Sequence, residues 1–222
     1  MSEQRSAIAV NGGAVSAVKT VPDGAARLTF VYAPGAGSNI DDPFGRYLTP
    51  RLAAAGIATV RFQFPYMEAG RKGPDRPATL EETWRRVIDA VRPDTGKLAI
   101  GGRSMGGRIG SNVAAQGTPV DALALFAYPL HAPSKSSLAR SAWRDGHLPK
   151  IAAPTFFASG TRDTFATPEE LREAAGKVPN STVHILEGAD HGFAVLKSSG
   201  RIREDVWDEA IAAMLEWLAA AC

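Results

Sequence analysis

Apolar and polar positions alternate first with a period of two and then with a period near 3.6. Ser6 to Val10 and Val15 to Thr20 flank Asn11-Gly12-Gly13, a pattern that predicts a β-hairpin. Arg27 to Ala33 is predicted as a strand entered from the Pro22-Asp23-Gly24 turn, and Pro34 to Ser38 as a glycine-rich loop. Phe44, Tyr47, Leu48 and Leu52 share one helical face that Gly56 ends, and Ile57 to Phe64 reads as the next strand. Pro65 to Pro77 reads as a loop. Leu80, Trp84, Val87, Ile88 and Val91 then mark an amphipathic helix. Its wet face carries Glu81 with Arg85 and Glu82 with Arg86, and Pro93 stops it. Leu98 to Ile100 predicts a short buried strand and Gly107 to Gln116 a helix. Ala122 to Ala127 is continuously apolar, as in a strand covered on both faces. Tyr128 to Ile151 reads as irregular. Strands at Thr155 to Ser159 and Thr182 to Leu186 enclose a helix near Pro168 to Ala175. Val206, Ala210, Ile211, Met214 and Leu218 mark a closing helix.

Strands that alternate with helices predict an α/β architecture, a mainly parallel sheet with helices on both faces and an antiparallel N-terminal edge. No internal repeat or linker divides the 222 residues, so one domain spanning 1–222 is expected. In such sheets ligands bind beyond the carboxyl ends of the strands, and residues just after strands carry the interest.

Composition narrows the partners. The chain is 45% hydrophobic, and its 25 basic and 23 acidic residues leave a formal charge of +2. That balance argues against nucleic acid or an anionic membrane as partner. Arg71-Lys72 to Arg76 reads as a solvated basic loop. The N-terminal residues lack the pattern of a signal peptide, and no apolar run approaches a membrane span. Cys222 is the only cysteine, so no disulfide framework is expected and a reducing cytoplasm is compatible. No metal-ligand cluster or nucleotide loop is visible, and no cofactor is implied.

The chemistry gathers around Gly102-Arg103-Ser104-Met105-Gly106. This Gly-x-Ser-x-Gly sequence lies between a predicted strand and a predicted helix. A serine at such a corner is held in a tight turn with its hydroxyl projecting, and the flanking glycines are expected to relieve collisions across the turn. The bland alternative is a glycine-rich turn of another kind. Serine needs a base, and the base an orienting partner. His191, in Gly188-Ala189-Asp190-His191-Gly192-Phe193, follows the last strand. His184 reads as an ordinary strand position, and His131 and His147 as surface or pocket-lining residues. Asp163 follows a strand and is the acid candidate, with a turn or helix cap as its alternative role. Asp190 adjoins His191 too closely in sequence, and Asp121 precedes a strand. Ser104, Asp163 and His191 stand in the chain order of α/β-hydrolase triads. Backbone N–H groups of Met105 and Ala36 are the expected oxyanion donors. Pro34 has no N–H to offer.

Six ordered blocks extend the pattern: Pro34-Gly35-Ala36-Gly37, Arg61-Phe62-Gln63-Phe64-Pro65-Tyr66, Gly101 to Arg108, Tyr128-Pro129-Leu130-His131, Gly160-Thr161-Arg162-Asp163 and Gly188-Ala189-Asp190-His191. From Leu28 onward the chain resembles small α/β-hydrolase-like proteins related to testis-expressed protein 30 and to the hydrolase-like domain of a non-specific-lethal chromatin complex subunit. Bacterial members are often labelled dienelactone-hydrolase-like. The resemblance implies the α/β-hydrolase fold, with Ser104 as nucleophile, Asp163 as acid and His191 as base. Two departures stand out. The family usually has His-Gly-Ala-Gly where Pro34 begins the loop here, and true dienelactone hydrolases use a cysteine where this chain has Ser104.

The expected function is therefore hydrolysis of an ester or related acyl bond on a small-molecule substrate, through an acyl-enzyme. A non-catalytic interaction module and an acyltransferase using the same residues are the alternatives. The insert 129–150 is expected as a partial lid, with Tyr66, Arg103, His131 and Trp143 near the pocket. Arg103 and Arg108 would favour an acidic substrate, unless Arg108 lies on a wet helix face.

Overall fold

The computed structural model describes residues 1–92, 96–133 and 143–222. Among them eight strands form one sheet: β1 (Ser2–Val10), β2 (Gly13–Val21), β3 (Leu28–Ala33), β4 (Ile57–Phe62), β5 (Lys97–Arg103), β6 (Ala122–Phe126), β7 (Thr155–Gly160) and β8 (Ser181–Leu186). Their order is β1-β2-β4-β3-β5-β6-β7-β8. β1 and β2 pair antiparallel, β2 runs antiparallel to β4, and every other neighbouring pair is parallel. The helices are α1 (Pro43–Ala54), α2 (Pro65–Glu68), α3 (Pro77–Val91), α4 (Met105–Ala115), α5 (Pro168–Ala175) and α6 (Arg203–Ala221).

Alternation along the strands feeds two cores. Val31 and Ala33 of β3 pack with Trp84, Val87 and Ile88 of α3 and with Ile109 and Val113 of α4. Phe30 and Tyr32, one position out of phase, pack with Phe44, Leu48 and Leu52 of α1 and with Met214 and Leu218 of α6. Side chains on a strand alternate between faces, so one sequence serves both layers. β4, β6 and β7 are buried throughout, and β6 accordingly reads as an uninterrupted apolar run, whereas β4 and β7 bury Thr59, Arg61, Thr155 and Ser159 among their apolar residues. On α3 the buried residues recur at helical spacing, and Arg86–Glu82 at 2.9 Å bridges its outer face.

The differences from the predicted elements are local. The hairpin extends to Ser2 and Val21. β1 is an edge strand exposed along nearly its whole length, so its outer half carries no alternation to read. α2 lies inside the predicted loop Pro65 to Pro77 and is too short for any periodicity to register. α4 begins at Met105, two residues before the predicted start, because the glycines that look like loop sit within its first turn. Single-turn 3₁₀ helices at Leu148–Lys150 and Lys197–Ser199 carry no sequence signal of their own.

The insert between β6 and β7 includes residues 134–142, which lie outside the described residues, so the expected lid is described only at its ends. Those ends are tied down. Tyr128 Oη donates to Arg144 O at 2.7 Å, and Arg144 Nη1 donates to Pro129 O and His131 O, each at 3.2 Å. Of the two histidines expected at the surface or in a pocket, His131 is packed inside and His147 is half-buried. His131 is 2% exposed, with Nδ1 2.6 Å from Ala132 O and Nε2 3.1 Å from Glu170 Oε2. Polar partners inside the fold, invisible in a linear sequence, repay their burial.

His147 Nε2 lies 2.8 Å from Ser111 Oγ. That hydroxyl donates its proton to Arg108 O at 2.7 Å, so the imidazole must supply the proton of the Ser111–His147 bond. Burial, and then the Arg108 guanidinium nearby, push the His147 pKa down to about 4. In the unfolded chain a histidine takes up its proton near pH 6.5. Between about pH 6.5 and pH 4 the unfolded state thus binds the extra proton, and stability falls as pH is lowered through that window. Urea unfolding at pH 7 and pH 4 is expected to show His147→Gln losing on the order of 2 kcal/mol less than the wild type over that range. Identical pH slopes would remove His147 as the cause.

Candidate active site

Ser104 stands at the carboxyl end of β5 as the residue that starts α4, with φ 51° and ψ −121°. This left-handed backbone is strained for a residue with a Cβ, by about 1–3 kcal/mol. It is held by Ser104 N–H to Phe126 O at 2.8 Å and by Arg108 N–H to Ser104 O at 3.0 Å. The flanking glycines are needed for a reason the sequence only half suggests. A Cβ on Gly102 would stand 2.2 Å from Ala33 O, and one on Gly106 would stand 2.4 Å from both Ala33 O and Pro34 O. The crowding comes mainly from the end of β3, in the neighbouring strand, rather than from the turn itself. Those close approaches set the Pro34 loop beside the serine, where a Cβ built on Gly35 would lie 3.5 Å from Ser104 Cβ.

Three residues far apart in sequence meet here. His191 Nε2 lies 2.9 Å from Ser104 Oγ, and His191 Nδ1 lies 2.9 Å from Asp163 Oδ2 and 3.0 Å from Oδ1. A carboxylate only accepts, so the ring proton sits on Nδ1 and Nε2 turns its lone pair to the serine hydroxyl. Asp163 is 5% exposed, and its carboxylate also accepts from Ser159 Oγ at 2.9 Å and from Phe165 N–H at 2.8 Å. Asp190, the alternative acid, is occupied elsewhere. Its Oδ1 accepts from the N–H groups of Gly192 and Ala194 at 2.8 and 2.9 Å and shapes the loop that carries His191. Asp121 accepts from Leu98 N–H at the start of β5, the opposite end of the sheet.

The loop after β3 is clamped from several sides. Gly37 N–H donates to Tyr66 Oη at 3.0 Å, Ile40 N–H to Gln63 Oε1 at 3.1 Å, and Arg61 Nη1 to Ile40 O at 2.6 Å. Asp42 gathers Tyr32 Oη at 2.6 Å, Gly45 N–H at 2.9 Å and Ser38 Oγ at 3.1 Å. The Arg61 to Tyr66 block is thus the brace of the Pro34 to Asp42 loop. On the other side of the elbow, Met105 heads α4, where the first N–H groups have no acceptor within the helix.

The expected pocket residues fare unevenly. Tyr66 is fully buried and turned to Gly37 instead of standing at an open mouth, because its ring packs into the core with Phe64. Arg103 directs Nη2 toward Asp42 Oδ1, 4.0 Å away. His131 is spent on Glu170, and Trp143 is half-buried with Lys177 Nζ 5.8 Å from its ring centre. Arg108 is half-buried rather than on a wet face, and burial lowers its pKa. Sequence reasoning passed over Phe165, whose ring stacks on His191 with centroids 4.0 Å apart and planes 26° apart. An aromatic residue two positions after the candidate acid was the available signal. Among the described residues no three histidine, cysteine or acidic side chains cluster as metal ligands, and no helix is long and apolar enough to cross a membrane.

Known proteins share this arrangement of elements. A dienelactone hydrolase from Anabaena variabilis ATCC 29413 is 20% identical, with a TM-score of 0.76 over 99% of this chain and 97% of its own. An alpha-beta serine hydrolase homologue from Coxiella burnetii is 19% identical, with a TM-score of 0.76 over 96% of this chain and 98% of its own. The esterase domain of a Rhodothermus marinus protein is 17% identical, with a TM-score of 0.70 over 98% of both chains. At such identities the likeness speaks for the fold. The family itself comes from a sequence model described as an alpha/beta hydrolase domain, which matches residues 26–219. With that match over most of its length, and with the sheet order and the strained elbow just described, the chain belongs to the alpha/beta hydrolase domain family.

Proposed function

We propose that this protein is a serine hydrolase that cleaves a carboxylic ester or related acyl bond through an acyl-enzyme on Ser104. The observation that carries the reading is the continuous hydrogen-bonded line from Ser104 Oγ through His191 to the buried Asp163. In that reading Ser104 Oγ attacks the substrate carbonyl while His191 Nε2 takes its proton. Asp163 holds the Nδ1 proton and stabilises the imidazolium, and Phe165 offers its ring face to the same charge. The N–H groups of Met105 and Ala36 receive the oxyanion. His191 then returns the proton to the leaving alcohol, and water repeats the sequence to free the acid. Ala36 still has its N–H, so replacement of the family's usual histidine by Pro34 leaves this donor in the loop. The six sequence blocks support the narrower kinship with the testis-expressed protein 30 group. The lone cysteine suits a reducing cytoplasm.

Ser104→Ala is expected to lower turnover of a 4-nitrophenyl ester by about 10⁶-fold. A fluorophosphonate probe should label the wild type at Ser104 and leave that variant unlabelled. Undiminished ester hydrolysis by Ser104→Ala would end the assignment.

Asp163→Asn tests the line from its other end. The amide would favour the wrong tautomer of His191, and kcat is expected to fall by about 10⁴-fold with the fold retained. Near-normal kcat in that variant would show that Asp163 is a structural turn residue and not the orienting acid.

A further inference from the structure

Phe165 is a large aromatic side chain that the core does not use. It is half-buried, and among the described residues it belongs to neither hydrophobic core. Its ring stacks on the His191 imidazole and on no other described ring. A lone half-exposed apolar residue needs no explanation in itself, so what matters is where this one is held. Its backbone does the holding. Phe165 N–H donates to Asp163 Oδ1 at 2.8 Å, and Phe165 O accepts from His131 N–H at 3.1 Å. The ring is thus presented to the base from two fixed points.

The chemistry of the base says what passes beside that ring. His191 Nε2 stands 2.9 Å from Ser104 Oγ and takes the proton of that hydroxyl in the proposed mechanism. When the tetrahedral intermediate collapses, the bond from its carbon to the alkoxy oxygen of the ester breaks. The electron pair stays on that oxygen, the Nε2 proton passes to it, and a neutral alcohol leaves. The leaving oxygen therefore lies about 3 Å from Nε2, or about 4 Å from the centre of the imidazole. The Phe165 ring centre is 4.0 Å from that same centre, with the planes 26° apart. The leaving oxygen then comes within about 6 Å of the Phe165 ring centre, and the first carbons of the alcohol come within van der Waals reach of its edge. Ser104, His191 and Phe165 are all half-buried, so the ring borders the same accessible ground as the nucleophile and the base.

We propose that Phe165 is the wall of the leaving-group subsite and selects esters of apolar alcohols, aryl or alkyl, over esters of polyols. The assignment rests on the serine-hydrolase reading above and names its substrate class. An apolar alcohol gains by the area it and the ring remove from water, and an aryl alcohol gains further from contact between rings. A polyol in the same place gives up water from hydroxyls to which a hydrocarbon ring offers no hydrogen bond. The selection acts on acylation alone, because deacylation begins after the alcohol has gone.

A ring that only packs against the imidazole would, when replaced, slow every ester alike. The experiment therefore keeps one acid and varies the alcohol. The kcat/KM values for benzyl acetate and glyceryl monoacetate, which report the steps up to acylation, are measured in the wild type, Ser104→Ala, Phe165→Leu and Phe165→Gln. Both substitutions at residue 165 keep its backbone bonds. The wild type is expected to favour benzyl acetate by about 10-fold or more. Phe165→Leu keeps an apolar wall and should retain most of that preference. Phe165→Gln is expected to reduce the preference by about 10-fold, over and above any loss common to both esters. The free alcohols give a check that needs no variant: benzyl alcohol should inhibit the wild type at concentrations where glycerol does not. No preference for benzyl acetate in the wild type, an unchanged preference in Phe165→Gln, or equal inhibition by the two alcohols overturns the assignment of Phe165 alone when Ser104→Ala is inactive. Full activity in Ser104→Ala overturns the serine-hydrolase reading and this one with it.

Discussion

The close approach of the β5–α4 corner to the end of β3 is the constraint from which the site follows. Carbonyl oxygens of Ala33 and Pro34 occupy the space that side chains at residues 102 and 106 would need. Two glycines make that contact feasible, and the contact in turn holds Ser104 in a conformation disfavoured for its own side chain. Relaxing the corner would move the serine away from His191 and the Pro34 loop away from the serine together. The strain is local and modest, about 1–3 kcal/mol, and the buried strands on either side hold it in place.

Around the serine the side chains are fixed by being fully used. The Asp163 carboxylate accepts from Ser159, from the Phe165 backbone and from His191, so it has little freedom to turn. Phe165 covers one face of the imidazole, and its own carbonyl accepts from His131 N–H at 3.1 Å. His131, buried against Glu170 of α5, thereby ties the start of the insert to the residue stacked on His191. A histidine that reads as superficial in the sequence is part of the scaffold behind the candidate base. Preorganisation of this sort keeps reorganisation small at the moment of reaction.

The Pro34 loop is braced from the segment that runs from β4 into α2 as well as by turns of its own, such as Ser38 N–H to Gly35 O at 3.1 Å. Arg61, Gln63 and Tyr66 each bond a different point along it, and Asp42 closes its far end before α1. Sequence blocks that look like independent signatures along the chain are two sides of the same network. Pro34 therefore opens a loop whose shape is held from both sides and by its own turns.

The sequence by itself determined the layers, because apolar periodicity reports which face of each strand and helix is buried. β4, α3, β6 and α6 are visible this way, and so is the position of Ser104, Asp163 and His191 just past three strands. It did not determine β1's full length or α2, since an exposed edge strand and a four-residue helix leave no pattern. The tertiary structure alone decided how Asp190 is used within its own loop, that Phe165 lies on the ring, and that Tyr66 and His131 are buried partners instead of pocket walls. The physical reason is the same in each case. Periodicity encodes burial against neighbours close in the chain, whereas hydrogen-bond partners between loops depend on which strand ends the sheet order brings side by side.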